Sequence, residues 1–360
     1  MMDRPVSSRA QRGTFVSRLL RVPRCARDDT VVVAALAAMF AMPAVAQSGP
    51  GFDCTKAANE VELAICTTPE LAAADREMAA AYGALNIKLT GAAKEHLLKD
   101  QQQWLAIRTE ACVGPRDQVI RCIKRHDEAR LNNLKAMGEG LYPFIGEQAL
   151  IKTGKVGKIS YAIDAAWPRF DGTTADFSGL NRDYAETTTK AANGVIPPDT
   201  AAGELRGEQL WPYLQWFDLQ RPAANAIAVA ITSYAFSGGA HGYGGTSAQL
   251  VDLRTGRKAT LGDVFGAGDG WLQTLVPLVR GDLKQQFTND RPGFDDAIAP
   301  AALAKQLRDP SIYYFQADRL QLIFNPYAVG PYVSGTFKVN IPYATLKPLF
   351  AVDGPLGTLR

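Results

Sequence analysis

His241 has the surroundings that most suggest chemistry. It sits in Ser237-Gly-Gly-Ala-His-Gly-Tyr-Gly-Gly245, where glycines let backbone come close to a partner and the imidazole stands beside hydroxyls. Ser237, Gly238, Gly239, His241, Gly242 and Tyr243 are therefore the candidate partner-binding loop. A plainer reading makes the same run a β-bulge at a strand end, with His241 as its hydrogen-bonding cap. The other two histidines, His96 and His126, fall on helical stretches and read as surface or boundary positions. There is no Gly-x-Ser-x-Gly elbow and no His-Glu-x-x-His, and one histidine in the strand-rich half cannot build a metal triad without carboxylate help. The glycine run lacks a Gly-Lys-Ser/Thr ending and is followed by a strand, so it is no phosphate loop. We expect no catalytic residues, no metal and no cofactor.

Cysteine supplies the second set of reactive groups. Cys25 lies in a leader-like segment, which leaves Cys54, Cys66, Cys112 and Cys122 as an even set. Their spacings, Cys-x11-Cys and Cys-x9-Cys, match no zinc pattern, and there is no Cys-x-x-Cys redox pair. Two disulfides are expected. Four cysteines allow three connectivities, and short loop closure alone favours Cys54 to Cys66 and Cys112 to Cys122.

The elements that carry these cysteines are helical. Thr67 and Thr68 ahead of Pro69 and Glu70 start a helix that continues on Leu71, Ala74, Met78, Tyr82, Leu85 and Leu89, until Gly91 breaks it. A second helix carries Leu97, Gln101, Trp104, Leu105 and Arg108 to Cys112. Gly114-Pro115 turns the chain, and a third helix carries Val119, Ile123, Leu131 and Leu134. Antiparallel packing of these helices brings Cys66, Cys112 and Cys122 to one end.

Upstream, Val31 to Ala46 is an apolar run closing on Ala44-Val45-Ala46 behind an arginine-rich front, which reads as a signal peptide over residues 1–46, cleaved after Ala46. The run is too short to span a membrane comfortably, and no other stretch is long enough, so stable membrane insertion is not expected. The formal charge of +3 is mostly leader: seven arginines and three aspartates precede Gln47, leaving 32 basic and 33 acidic residues after it. Such a balance speaks against nucleic acid as a partner. Between Asp53 and Glu77, Asp53, Glu60, Glu62, Glu70, Asp75 and Glu77 face only Lys56 and Arg76, either a solvated face or an acidic docking surface.

The chain after Ala46 is long enough for two domains, and Gly138-Glu139-Gly140 opens a linker over residues 138–157. The grammar then changes. Residues 158–164 alternate at period two and Pro168 ends that strand; a helix follows from Leu180 to Ala192. Trp211 to Leu219, Ala226 to Phe236 and Ser247 to Leu253 read as strands. Leu261-Gly-Asp-Val-Phe265 opens a helix through Trp271, Leu275, Leu278 and Leu283. Strands return at Tyr313 to Phe315, Leu320 to Phe324 and Phe337 to Ile341, before a short helix from Tyr343 to Leu349. The fold class is α+β in two domains: a disulfide-stapled antiparallel helical bundle (52–137), then an α+β domain with a mostly antiparallel sheet (158–350).

Two family resemblances follow. FDC, VELAIC, PELAAADREMAAAY, QQQWLAIRTEAC and a last cysteine followed by RHDEARLNNL resemble the LprI-type lysozyme inhibitors of bacterial envelopes, with Ala74 where that family usually has leucine. SGGAHGYGG, VDLRTGRKATLGDVF and LQLIFNPYAVGPYVSGTFKVNIPYATL resemble the C-terminal extracytoplasmic domain of RsiV-type anti-sigma factors, also attached to PdaC-type peptidoglycan deacetylases. Both resemblances imply a lysozyme-type muramidase as partner, in the periplasm or outside the cell. In such a complex the imidazole and hydroxyls of the 237–243 loop would bridge the two carboxylates of a glycoside-hydrolase cleft and exclude the sugar. The alternative is a peptidoglycan- or envelope-polymer-binding module, with Trp211, Trp216, Tyr243, Tyr327 and Tyr332 as sugar platforms unless they are core.

Overall fold

Capping residues set the first helices. Asn59 accepts from the Glu62 N–H and starts α1 (Glu60–Thr67), with Glu60 and Glu62 at the positive end of the dipole. Pro69 opens α2 (Pro69–Lys88) from an extended Thr68. Next come α3 (Gly91–Ala111) and α4 (Arg116–Met137). The structure, a computed structural model, describes residues 49–137, 144–172, 175–200 and 207–360. The expected signal peptide and the site after Ala46 lie outside the described residues. Among those residues, no helix is long and apolar enough to cross a membrane.

Cys54 bonds Cys66 and Cys112 bonds Cys122, the pairing that short loop closure favours. The first ties a 3-10 turn at Cys54–Lys56 to α1, and the second ties the end of α3 to α4. Beside Cys112, Val61, Ile65, Leu71, Val119 and Ile123 close a small core. Leu105, read as part of an apolar face, points to solvent at 40% exposure, because the buried face of α3 is set by Leu97, Asp100, Trp104 and Arg108.

A six-stranded sheet follows in the order β1 (Phe144–Val156), β2 (Ile159–Asp171), β3 (Gln209–Ala223), β4 (Ala226–Ala235), β5 (Tyr243–Asp252) and β6 (Arg257–Lys258). Only β2 and β3 pair in parallel. Their crossover holds α5 (Ser178–Asn193), as a parallel connection requires. After the sheet come α6 (Leu261–Phe265), α7 (Leu272–Gln286) and α8 (Pro300–Gln306). A three-stranded antiparallel sheet of β7 (Tyr313–Phe315), β8 (Arg319–Phe324) and β9 (Phe337–Pro342) is then followed by α9 (Tyr343–Leu346). The architecture is α+β: disulfide-bonded helices, then a sheet-rich part that is mostly antiparallel.

Alternation along β4 gives this sheet two buried faces. Ile227 and Val229 join Phe217, Leu219, Phe170 and Tyr184 under α2 to α5, in one core with Met78, Leu85, Trp104 and Leu134. Ala226, Ala228 and Ala230 face a second core built from α7 and the small sheet, with Leu275, Val279, Phe315 and Phe337.

Three expectations need correction. Residues 144–156, assigned to the linker, form β1 and pair with β2 along their whole length. Pro168 does not end β2, which continues to Asp171. The Phe170 N–H points away from β1 to the Asn181 side chain, so the proline nitrogen two residues earlier faces the same side, beyond Ala165, where β3 pairing has stopped. Its missing N–H therefore removes no ladder bond. The helix expected from Leu261 through Leu283 is two helices, because Gly266 and Gly268 take positive φ (83° and 82°) between them.

Candidate functional site

The 237–243 run lies at the turn between β4 and β5, and its last residue, Tyr243, already pairs with Ala235 inside the sheet. Gly238 and Gly239 both have φ of 92°, a backbone that side chains resist, and Gly238 lies over the Trp211 ring. Gly242 is closed in by the Tyr234 hydroxyl, which leaves no room for a Cβ.

His241 does not stand alone. Its ring stacks on Tyr332 with centroids 4.0 Å apart, and Tyr327 lies 5.8 Å from Tyr332. The Gly242 carbonyl accepts from the Tyr332 hydroxyl and from His241 Nδ1, each at 2.8 Å. A carbonyl can only accept, so Nδ1 carries the hydrogen, and in the neutral ring Nε2 is left as an acceptor. Around it Tyr243 and Tyr327 are half exposed and Val333 is 80% exposed. Tyr327 also holds a left-handed backbone (φ 73°), fixed by its N–H bond to the Gly330 carbonyl at 3.0 Å. A bulky residue in that region is strained, and such strain collects at functional positions. The tip thus stacks the His241 imidazole, Tyr332 and Tyr327, with the exposed Tyr243 and Val333 next to them in the chain.

Asn325 fastens the tip to the sheet. Its side chain accepts from the Thr246 N–H and donates to the Thr246 carbonyl, both at 2.9 Å, as a strand partner would. Asn181 does the same for Phe170 at 2.8 Å. Asn325→Ala is expected to cost about 1–2 kcal/mol and to speed hydrogen exchange at the Thr246 amide, measured by thermal unfolding and exchange NMR. Unchanged exchange would mean that β5 holds its end without Asn325.

Among the aromatics considered as sugar platforms, Tyr243 and Tyr327 are exposed. Trp211, Trp216 and Tyr332 are half-buried, with Arg125 over the Trp216 ring at 5.9 Å. Most acids of the 53–77 run have local structural partners. Asp53 caps the Cys54–Lys56 turn, Glu62 accepts from the Ala58 N–H, Asp75 accepts from the Gly51 N–H, and Glu77 pairs with Lys135.

His96 is exposed, but His126 is buried, against the surface or boundary reading. Its Nε2 donates to Asp164 at 3.1 Å, and Arg125 pairs with the same carboxylate. Burial would raise Asp164, but its bonds to His126 and Arg125 outweigh it and hold the carboxyl below its usual range. His126 and the sulfurs of Cys112 and Cys122 lie within 4.8 Å of one another. The disulfide consumes both sulfurs and Asp164 takes the imidazole, so they form no ligand set. Close by, Glu147 is wholly buried, and burial pushes its carboxyl up to about 7. Sequence reasoning missed this cluster, since Glu147 lies in the stretch assigned to a linker.

Comparison with known proteins agrees with both resemblances. Residues 54–134 match the family described as lysozyme inhibitor LprI, and residues 262–344 match a protein family of unknown function, DUF3298. No curated protein matches. Among solved structures the chain is similar to a DUF3298-family member of Bacteroides fragilis (15% identity, 61% of this chain and 98% of that one, TM-score 0.40). It is also similar to a DUF3298-family protein of Pseudomonas aeruginosa (16% identity, 59% and 96%, TM-score 0.41).

Proposed function

We propose that this protein works outside the cytoplasm, after removal of a leader ending at Ala46, as a binding protein that inhibits a lysozyme-type muramidase by occluding its cleft. The observation that carries the reading is the lysozyme-inhibitor family match over residues 54–134, the segment closed by both disulfides. Disulfides suit an oxidising compartment. In this reading the tip that carries His241, Tyr243, Tyr327 and Tyr332 enters the cleft. Nε2 of His241 would accept from a protonated carboxylic acid there.

The test is the initial rate of cell-wall lysis by a c-type lysozyme, titrated with the chain from Gln47. Inhibition should saturate near one equivalent and weaken with salt, and His241→Ala combined with Ser237→Ala should raise the inhibitor concentration needed by about tenfold. Full inhibition by the double variant would move the contact surface to α1 to α4. No inhibition of c-, g- or i-type enzymes at large excess would end the reading.

A further inference from the structure

On the face of the sheet that α5 covers, next to Tyr243, a groove of about 330 Å³ lies between α5 and strands β3 to β5. Its walls are polar without net charge. Asp183 and Lys258 are its charged side chains and they pair with each other, so the lining offers nothing to a phosphate, a divalent cation or an acidic polymer. What it does offer is neutral hydrogen-bonding groups from Thr187, Ser233, Ser247 and Ser311, together with the Gln249 side-chain oxygen. The floor is held by a chain of bonds. Tyr213 donates to Gln215 at 2.8 Å, and Gln215 donates to the Thr188 hydroxyl and the Ala166 carbonyl, both at 2.9 Å.

Two polar atoms in the lining residues have no partner. The Tyr184 hydroxyl is buried and unbonded on a side chain 2% exposed, and the Gln249 side-chain oxygen is buried and unbonded as well. Leaving such groups unsatisfied disfavours folding, and a site that hydrogen-bonds its ligand is one reason for an orphan to persist. A second cavity of about 180 Å³ at the β5 edge shares Gln249, Lys258 and Ser311 with the lining of the groove. The walls of this annex are apolar, with Leu250, Val264 and Phe315.

A neutral ligand rich in hydroxyls, carrying an amide and one small apolar group, satisfies both compartments. We infer that the α5–β5 groove binds an N-acetylated amino-sugar oligosaccharide of one or two rings. The ring hydroxyls meet the serine, threonine and glutamine groups, the half-exposed Tyr243 ring lies at the rim, and the acetamido methyl enters the annex. The volumes fit the lower end of small-molecule sites. This binding is independent of lysozyme inhibition, because the chain alone takes the sugar.

Calorimetric titration of the chain from Gln47 with diacetylchitobiose, with the muramidase-released wall disaccharide and with cellobiose tests the inference. The acetylated sugars should bind at least about tenfold more tightly than cellobiose, which has the hydroxyls but no acetamido group. The tighter of the two acetylated sugars identifies the source as chitin-type or cell-wall glycan. Tyr184→Phe should weaken binding about tenfold while raising the melting temperature, since it removes an unpaired buried hydroxyl. Ser247→Trp, at an exposed position on β5, should fill the groove and abolish binding. No heat from either acetylated sugar at millimolar concentration, equal binding of cellobiose, or an unchanged affinity in both variants would overturn the inference.

Discussion

Glu147→Gln is expected to flatten the pH dependence of stability between pH 4.5 and about 7, and to leave the variant about 3 kcal/mol more stable than the parent at pH 8. Glu147 is buried on β1, where its N–H donates to Asp100, and one of its carboxyl oxygens has no partner. The ionisable groups facing it are His126 and Arg130 from α4, Asp100 from α3 and Asp164 from β2. Burial outweighs the opposing effect of His126 and Arg130 and moves the carboxyl from 4.5 to about 7. The folded chain thus holds a proton that the unfolded chain has already released. Its contribution is fully present below pH 4.5 and is lost as pH rises to about 7. At about 1.36 kcal/mol per unit, a shift of 7 − 4.5 gives about 3 kcal/mol. Asp164, held low by His126 and Arg125, acts in the opposite sense below its ordinary 3.8, in a separate window. Urea unfolding of both proteins from pH 4 to 8 provides the measurement, and parallel curves would mean that the groups around Glu147 cancel the cost of its burial.

The helices were legible where local rules decide them. The Thr-Thr-Pro-Glu start and the spacing of Leu71, Met78 and Leu85 mark α2 because capping and one buried face coincide. The disulfide partners were legible because both loops are short. β1 was not. Phe-Ile-Gly-Glu-Gln-Ala-Leu follows a glycine-rich stretch and has little alternation, and its strand conformation comes from β2 on one edge and the Asp100 carboxylate on Glu147. Pro168 misled for a related reason, since a proline stops a strand only when its nitrogen faces a partner. In the loop, the glycines announced an unusual turn, but the stacking of His241 on Tyr332 joins positions 91 residues apart, and no local pattern carries that.

Those long-range contacts also bear on how the two family-matched segments work together. Trp104 and Leu134 from the first share a core with Phe217 and Val229 of the sheet, and Asn133 of α4 accepts from the Leu219 N–H at 3.1 Å. The sheet's other face packs on α7 and the small sheet, inside the second matched segment. β4 thus contributes to both cores and leads directly into the loop that carries His241.

Asp127→Ala should be the most damaging single change in the helical region, lowering stability by about 3–5 kcal/mol. Asp127 on α4 and Arg108 on α3 pair at 2.7 Å with side chains 1% and 4% exposed, and the guanidinium lies 4.5 Å from the Trp104 ring centroid. Burial raises the Asp127 carboxyl and Arg108 opposes it, so each ion is tolerated only because of the other. Removing Asp127 leaves Arg108 buried and uncompensated, with cation–π contact to Trp104 as its remaining support. The native pair is itself imperfect: Asp127 Oδ2 and Arg108 Nε have no partner. The double change Arg108→Met with Asp127→Leu, which replaces both ions by apolar groups of similar size, should therefore recover most of the loss. Urea midpoints with unchanged slopes decide between these outcomes. A single-variant loss under about 1 kcal/mol would mean that water reaches the pair, as at exposed ion pairs such as Arg319 with Asp318.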